Sequence, residues 1–143
     1  EIIASYNEQF NTLEAFTKSC IELAREKEYA ETIMGRRRKL PGINSNNGMV
    51  KAFAERNAVN APIQGSAADI IKVAMVKLFN ELEKGDWKAK MIMQVHDELV
   101  LDVPKDELES LKLIVRECME SAVEINVPLI VDMKSGEDWL AAH

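Results

Sequence analysis

Largely apolar residues recur at three- and four-residue steps over Phe10, Leu13, Phe16, Thr17, Cys20, Ile21 and Ala24. That spacing predicts one amphipathic helix from about Glu8 to Lys27. Gly35-Arg36-Arg37-Arg38-Lys39-Leu40-Pro41-Gly42 follows, and Asn44-Ser45-Asn46-Asn47-Gly48 is loop or turn chemistry. A short strand or hairpin is expected near Glu31–Leu40, and a short helix over about Met49–Val59 that Pro62 ends or offsets. The longest helix is predicted from about Ile63 to Glu83. Its apolar stripe is Ile63, Ala67, Ile70, Ile71, Ala74, Met75, Leu78 and Leu82, and Gly85-Asp86 stops it. Lys90–Val95 and Glu98–Val103 read as strands, and only His96-Asp97 separates them, which predicts a tight hairpin. Pro104-Lys105-Asp106-Glu107 opens another helix, with acid in the first turn where the helix dipole favours it. Its stripe is Leu108, Leu111, Ile114, Val115, Cys118, Met119 and Ala122. A last strand is expected over Leu129–Met133, then a short tail with Trp139.

The order helix, loop, helix, long helix, hairpin, helix, strand predicts an α+β fold, a small antiparallel sheet with helices on one face. At 143 residues and 47% hydrophobic the chain can bury a real core without a metal or disulfide staple. No apolar run approaches the ~20 residues of a membrane span, and no secretory signal opens the chain. The start lacks an initiating Met and leads almost straight into a helix, which reads as a piece of something longer. Cys20 and Cys118 share no metal-type spacing and read as buried free thiols, which suits a cytoplasmic location.

Charge changes the picture, because it is uneven. Residues 1–35 have a net charge of −4 and residues 61–143 a net charge of −7, but residues 36–60 have a net charge of +5. That basic island is the kind of localised field that meets a phosphate backbone.

Three segments carry candidate chemistry. In Gln94-Val95-His96-Asp97-Glu98, two adjacent carboxylates sit at the tip of the predicted hairpin. They are hard oxygen donors, the type Mg²⁺ prefers, and a sparse site of this kind leaves room for waters and substrate phosphates. Turns also collect polar residues for conformational reasons alone. Arg56, Asn60 and Gln64 step by four. On a helical path they align three hydrogen-bond donors, suited to the acceptors that every base pair offers in the minor groove. Capping and solvation are the competing explanation. The small-residue run Gly65-Ser66-Ala67-Ala68 predicts a close approach by DNA or by a packed neighbour. Arg36, Arg37, Arg38 and Lys39 are candidate phosphate contacts, or else a solvated loop.

Taken together, Glu31–Arg38, Ala54-Glu55-Arg56, Asn60–Lys72 and Gln94–Leu99 resemble, in order and spacing, the C-terminal part of family A DNA polymerases of the bacterial DNA polymerase I type. The resemblance covers nearly all of the chain from about Glu22; residues 1–20 match less well. It implies an incomplete polymerase domain, with 1–60 as the end of the fingers and a connecting region and 61–143 as part of the palm. It further implies Asp97 as a metal-binding catalytic aspartate, Glu98 as its neighbouring carboxylate, and His96 at the primer end. Arg56, Asn60 and Gln64 become contacts to primer–template DNA near its minor groove. The implied reaction is two-metal, Mg²⁺-dependent attack of a primer 3′-hydroxyl on a deoxynucleoside triphosphate.

The family's second metal aspartate and its triphosphate-gripping fingers helix have no counterpart in these residues. The isolated chain is therefore expected not to polymerise, and an exposed sheet edge is expected to favour self-association. Two other functions compete. A non-catalytic nucleic-acid-binding module would have no need of paired acids beside phosphate. A small metal-dependent phosphohydrolase would need a second carboxylate cluster, and none stands out.

Overall fold

The computed structural model describes residues 10–142. In chain order the elements are α1 (Asn11–Lys27), β1 (Tyr29–Glu31), β2 (Arg37–Lys39), α2 (Gly48–Lys84), β3 (Lys90–Val95), β4 (Glu98–Asp102), α3 (Leu108–Glu120) and α4 (Trp139–Ala142). β1 pairs with β2 and β3 with β4, both antiparallel, so the α+β expectation holds with two small sheets in place of one. Two compact units result, one up to Ala67 and one from Ala68. Among the described residues no helix is long and apolar enough to cross a membrane.

In the first unit, α1 ends where Glu28 takes a left-handed conformation (φ 59°) and its N–H donates to the Ala24 carbonyl at 2.8 Å. The expected start of this helix at Glu8 lies outside the described residues. The turn leads directly into the β1–β2 hairpin, in register Tyr29↔Lys39, Ala30↔Arg38 and Glu31↔Arg37. Asn47, in the stretch expected to be loop, caps α2. Its Oδ1 accepts from the backbone N–H groups of Met49 (3.0 Å) and Val50 (3.4 Å), two donors that the helix itself leaves unpaired.

The core here is Ala24, Ala30, Leu40, Ile43, Ala54, Ala58 and Ala61. Alanines dominate it, so backbones approach closely. A Cβ at Gly65 would stand 2.6 Å from Thr32 Cγ2, so the small-residue run is explained by the β1–β2 turn packing on α2. Thr32 is held in place, since its Oγ1 accepts from the Arg36 N–H at 3.2 Å. Gly65→Ala is therefore expected to lower stability. Overpacking of this kind costs about 1–3 kcal/mol, against roughly 1 kcal/mol gained in helix propensity. A urea unfolding curve with an unchanged slope and a lower midpoint would show it.

Two expectations from the sequence are corrected. Pro62 neither ends nor offsets a helix: α2 is one helix of 37 residues with Pro62 inside. The ring removes the hydrogen bond to the Ala58 carbonyl, a cost of about 3 kcal/mol. Ala54, Ala58 and Ala61, all buried, hold the preceding turns through packing, and on the following turn the buried Ser66 donates back to the Pro62 carbonyl. The apolar stripe is displaced accordingly: Ile63 and Ala67 are exposed. The second correction concerns Leu129–Met133, which forms no strand. Its branched and long apolar residues favour an extended chain, but a ladder needs a partner, and the Val131 N–H donates instead to Glu120 Oε1 at 3.1 Å.

The second unit is built on Leu78, Ala89, Leu111, Val115 and Cys118, with Leu82, Met91, Leu99 and Leu101 packed against them. Glu107, just before α3, accepts from the N–H groups of Lys88 (3.0 Å) and Ala89 (3.0 Å), tying the entry to β3 to the start of α3. At the other end of α3, Lys77 Nζ donates to the Ser121 carbonyl, a cation on the free end of the helix. Cys118 is buried, and that burial pushes its thiol pKa up; Cys20 is only half-buried, contrary to expectation. The tail with Trp139 is a single helical turn, capped where Asp138 Oδ1 accepts from the Ala141 N–H at 2.8 Å.

Candidate functional site

The β3–β4 hairpin is the more constrained of two candidate regions. Its register is Lys90↔Asp102, Met91↔Leu101, Met93↔Val100, Gln94↔Leu99 and Val95↔Glu98, with an irregularity at Ile92 between Met91 and Met93. Val95↔Glu98 closes a two-residue turn of His96 and Asp97. His96 has φ 54° while Asp97 has negative φ. Positive φ at the first central residue alone is the sign pattern of a type II′ turn, a place that favours glycine. The strain of holding a bulky side chain there is of the kind that collects at functional turns. The Gln94 side-chain amide donates to the His96 carbonyl and so orients the turn peptide. Sequence alone assigns Gln94 no role; its position two residues before the turn is the available signal.

His96, Asp97 and Glu98 are all exposed. Two neighbouring carboxylates on a rigid tip are a hard-oxygen pair suited to part of a Mg²⁺ shell. Among the described residues no group of three or more His, Cys, Asp or Glu side chains is placed to hold a metal. The pair thus fits Mg²⁺ as a partial site, to be completed by other oxygens.

The other region lies in the first unit. Because α2 is continuous through Pro62, Arg56, Asn60 and Gln64 lie along one side of it. They rise about 6 Å per step and drift about 40° around the axis each time. All three are exposed. Arg56 lies 6.0 Å from the ring centre of Phe53.

The four cations of the basic run differ in their surroundings. Arg36 Nη2 donates to the Gly65 carbonyl at 3.0 Å. Arg37 pairs with Glu31 at 2.8 Å and lies 4.8 Å above the Tyr29 ring. The bond to Glu31 is the main reason its pKa is raised. Among the described residues Arg38 and Lys39 have no ion-pair partner. A cleft of about 80 Å³ lies between hairpin and helix, lined by Ala30, Thr32, Arg36, Arg38, Ala61, Gln64 and Gly65. Arg36, Arg38 and Gln64 are therefore brought together, Arg37 is turned to its own strand partner, and Thr32 joins a site in which sequence alone gave it no part.

Comparison with known proteins gives a consistent family. The model for DNA polymerase family A matches residues 1–141. DNA polymerase I of Lactococcus lactis subsp. lactis (strain IL1403) is 46% identical over 140 residues, which is 98% of this chain and 16% of that protein. DNA polymerase I of Streptococcus pneumoniae serotype 4 is 48% identical over the same shares. Among solved structures, the POL domain of Pol1 from M. smegmatis, in complex with DNA primer-template and dNTP, aligns with a TM-score of 0.95. Its identity is 41%, over 98% of this chain and 25% of that one.

Proposed function

The chain belongs to DNA polymerase family A, and from that premise we propose that it carries part of the catalytic site of a longer DNA-directed DNA polymerase. The carrying observation is the strained hairpin tip, where Asp97 and Glu98 are consecutive exposed carboxylates, within a match covering residues 1–141. The chain spans only 16% of the length of its curated relatives, so activity and substrates are assigned to the parent polymerase.

In this mechanism a primer 3′-hydroxyl attacks the α-phosphate of a deoxynucleoside triphosphate and pyrophosphate leaves. Mg²⁺, when bound, lowers the pKa of the hydroxyl and neutralises charge on the phosphates. This chain's own residues supply part of the rest. Asp97 and Glu98 offer oxygens for the metal on a tip whose backbone the ladder and Gln94 hold still. His96, the exposed residue before them in the turn, positions the primer terminus. Arg56, Asn60 and Gln64 donate to minor-groove acceptors present in every base pair, so grip is independent of sequence. Arg38 and Lys39 meet phosphates, with Arg36 and Arg37 as further cationic neighbours. Residues 1–60 then serve as the end of the fingers with its connecting region, and 61–143 as part of the palm. A cytoplasmic location is part of the proposal, supported by the bacterial DNA polymerase I relatives and by two free thiols. Self-association belongs to the same proposal: β3 and β4 each have an edge without a ladder partner among the described residues.

Primer extension tests the proposal. The parent polypeptide should extend a labelled primer–template with Mg²⁺ and deoxynucleotides, and the isolated chain should not. A parent that binds the duplex without extending it would leave a binding module, and extension by the isolated chain would overturn the partial-site assignment.

A further inference from the structure

We infer that Ser66, Gly65 and Thr32 form a clip that sets the basic strand β2 in register with the DNA-facing turn of α2. Ser66 and Thr32 are then positioning residues for primer–template binding. The inference rests on the reading of Arg38, Lys39 and Gln64 as DNA contacts.

Ser66 is only 8% exposed. Its hydroxyl accepts from the Ile33 N–H at 3.0 Å and donates to the Pro62 carbonyl one turn back. One side-chain oxygen thus joins the hairpin turn to the helix at the point where proline interrupts the helix's own ladder. Arg36 doubles the connection: its guanidinium donates to the Gly65 carbonyl at 3.0 Å, while its backbone N–H donates to Thr32 Oγ1 at 3.2 Å. Gly65 admits the Thr32 methyl where any Cβ would stand 2.6 Å away.

The need for a clip is physical. β1 and β2 are three residues each, and a two-stranded hairpin of that size is marginal without outside support. Arg38 follows the clipped turn by two residues, and it shares with Gln64 the cleft that the clip closes on one side. The spacing between a phosphate-directed guanidinium and a base-directed carboxamide is therefore set by contacts that touch no DNA. Removing the Ser66 hydroxyl leaves a partly buried Ile33 N–H without its acceptor and lets the hairpin shift along α2.

The test is primer–template affinity of the parent polymerase, measured by fluorescence anisotropy over a range of salt concentrations. Ser66→Ala and the near-isosteric Thr32→Val should each weaken binding roughly 3- to 10-fold, the equivalent of one lost hydrogen bond. Each should also make the plot of log affinity against log salt shallower by about one, the signature of one lost phosphate contact. Ser66→Thr, which keeps the hydroxyl, should restore both. A smaller folded fraction changes apparent affinity but not that slope, so a merely structural role would leave it unmoved. Wild-type affinity and slope in Ser66→Ala and Thr32→Val would overturn the clip while DNA binding stands. Absence of salt-dependent binding by the wild type would overturn the DNA reading itself. Should Ser66→Ala fail to fold, Thr32→Val decides: a shallower slope supports the clip and an unchanged slope sinks it.

Discussion

Asp97→Asn in the parent polymerase is expected to cut primer extension by about 10²–10³-fold, the loss typical of removing one preorganised group that stabilises transition-state charge. The substitution keeps size and shape, so the two-residue turn and the Val95↔Glu98 pair that closes it should survive. What goes is the negative charge that makes the side chain a strong ligand for a hard cation. Primer–template affinity should change little, because duplex grip is assigned to Arg56, Asn60 and Gln64 on another element. The informative result is therefore a fall in kcat with binding preserved. Glu98→Gln, at the first residue of β4, should have the smaller effect of the two. If Asp97→Asn extends primers as fast as the wild type, the tip carries no catalytic metal, and the binding-module reading takes precedence.

Leu78→Ala should cost about 3–5 kcal/mol of folding stability, the range for emptying a fully buried leucine site. Leu78 is 0% exposed and packs with Ala89, Leu111, Val115 and Cys118. A cavity there touches the long helix, the entry to β3 and α3 at once, so no single side chain can move to fill it. Whole-domain stability is about 5–15 kcal/mol, so such a loss should be plain in a chemical denaturation curve. Leu113→Ala is the internal control. It lies on α3 but is 72% exposed, and its replacement should shift stability by less than about 0.5 kcal/mol. Equal losses at the two positions would mean that the core is not where the packing puts it.

The parts that were legible in the sequence are those whose cause is local. The β3–β4 hairpin declares itself through two apolar runs separated by two polar residues, and α3 through a stripe that stays in phase from Leu111 to Cys118. The basic island and the four-residue step of Arg56, Asn60 and Gln64 need only counting. Pro62 misled because its local preference is strong, whereas the packing of Ala58 and Ala61 that overrides it comes from Ala24, Leu40 and Ile43, remote in sequence. Leu129–Met133 misled for the opposite reason: its pattern suits a strand, but strand identity lies in a partner. At the site, Asp97 and Glu98 were visible as a pair, but Thr32 was not. Nothing in its own neighbourhood announces a contact with a glycine thirty-odd positions away; the small-residue run at Gly65 gave only half of that pair.

The positive φ of His96 sets two selective pressures against each other. Glycine would relieve a backbone cost of order 1–2 kcal/mol at that position, so a library sorted for heat tolerance alone would drift towards His96→Gly. A library sorted for primer extension would keep the imidazole and accept the cost. Codon 96 is thus a place where breeding a hardier enzyme and breeding a faster one lead to different sequences.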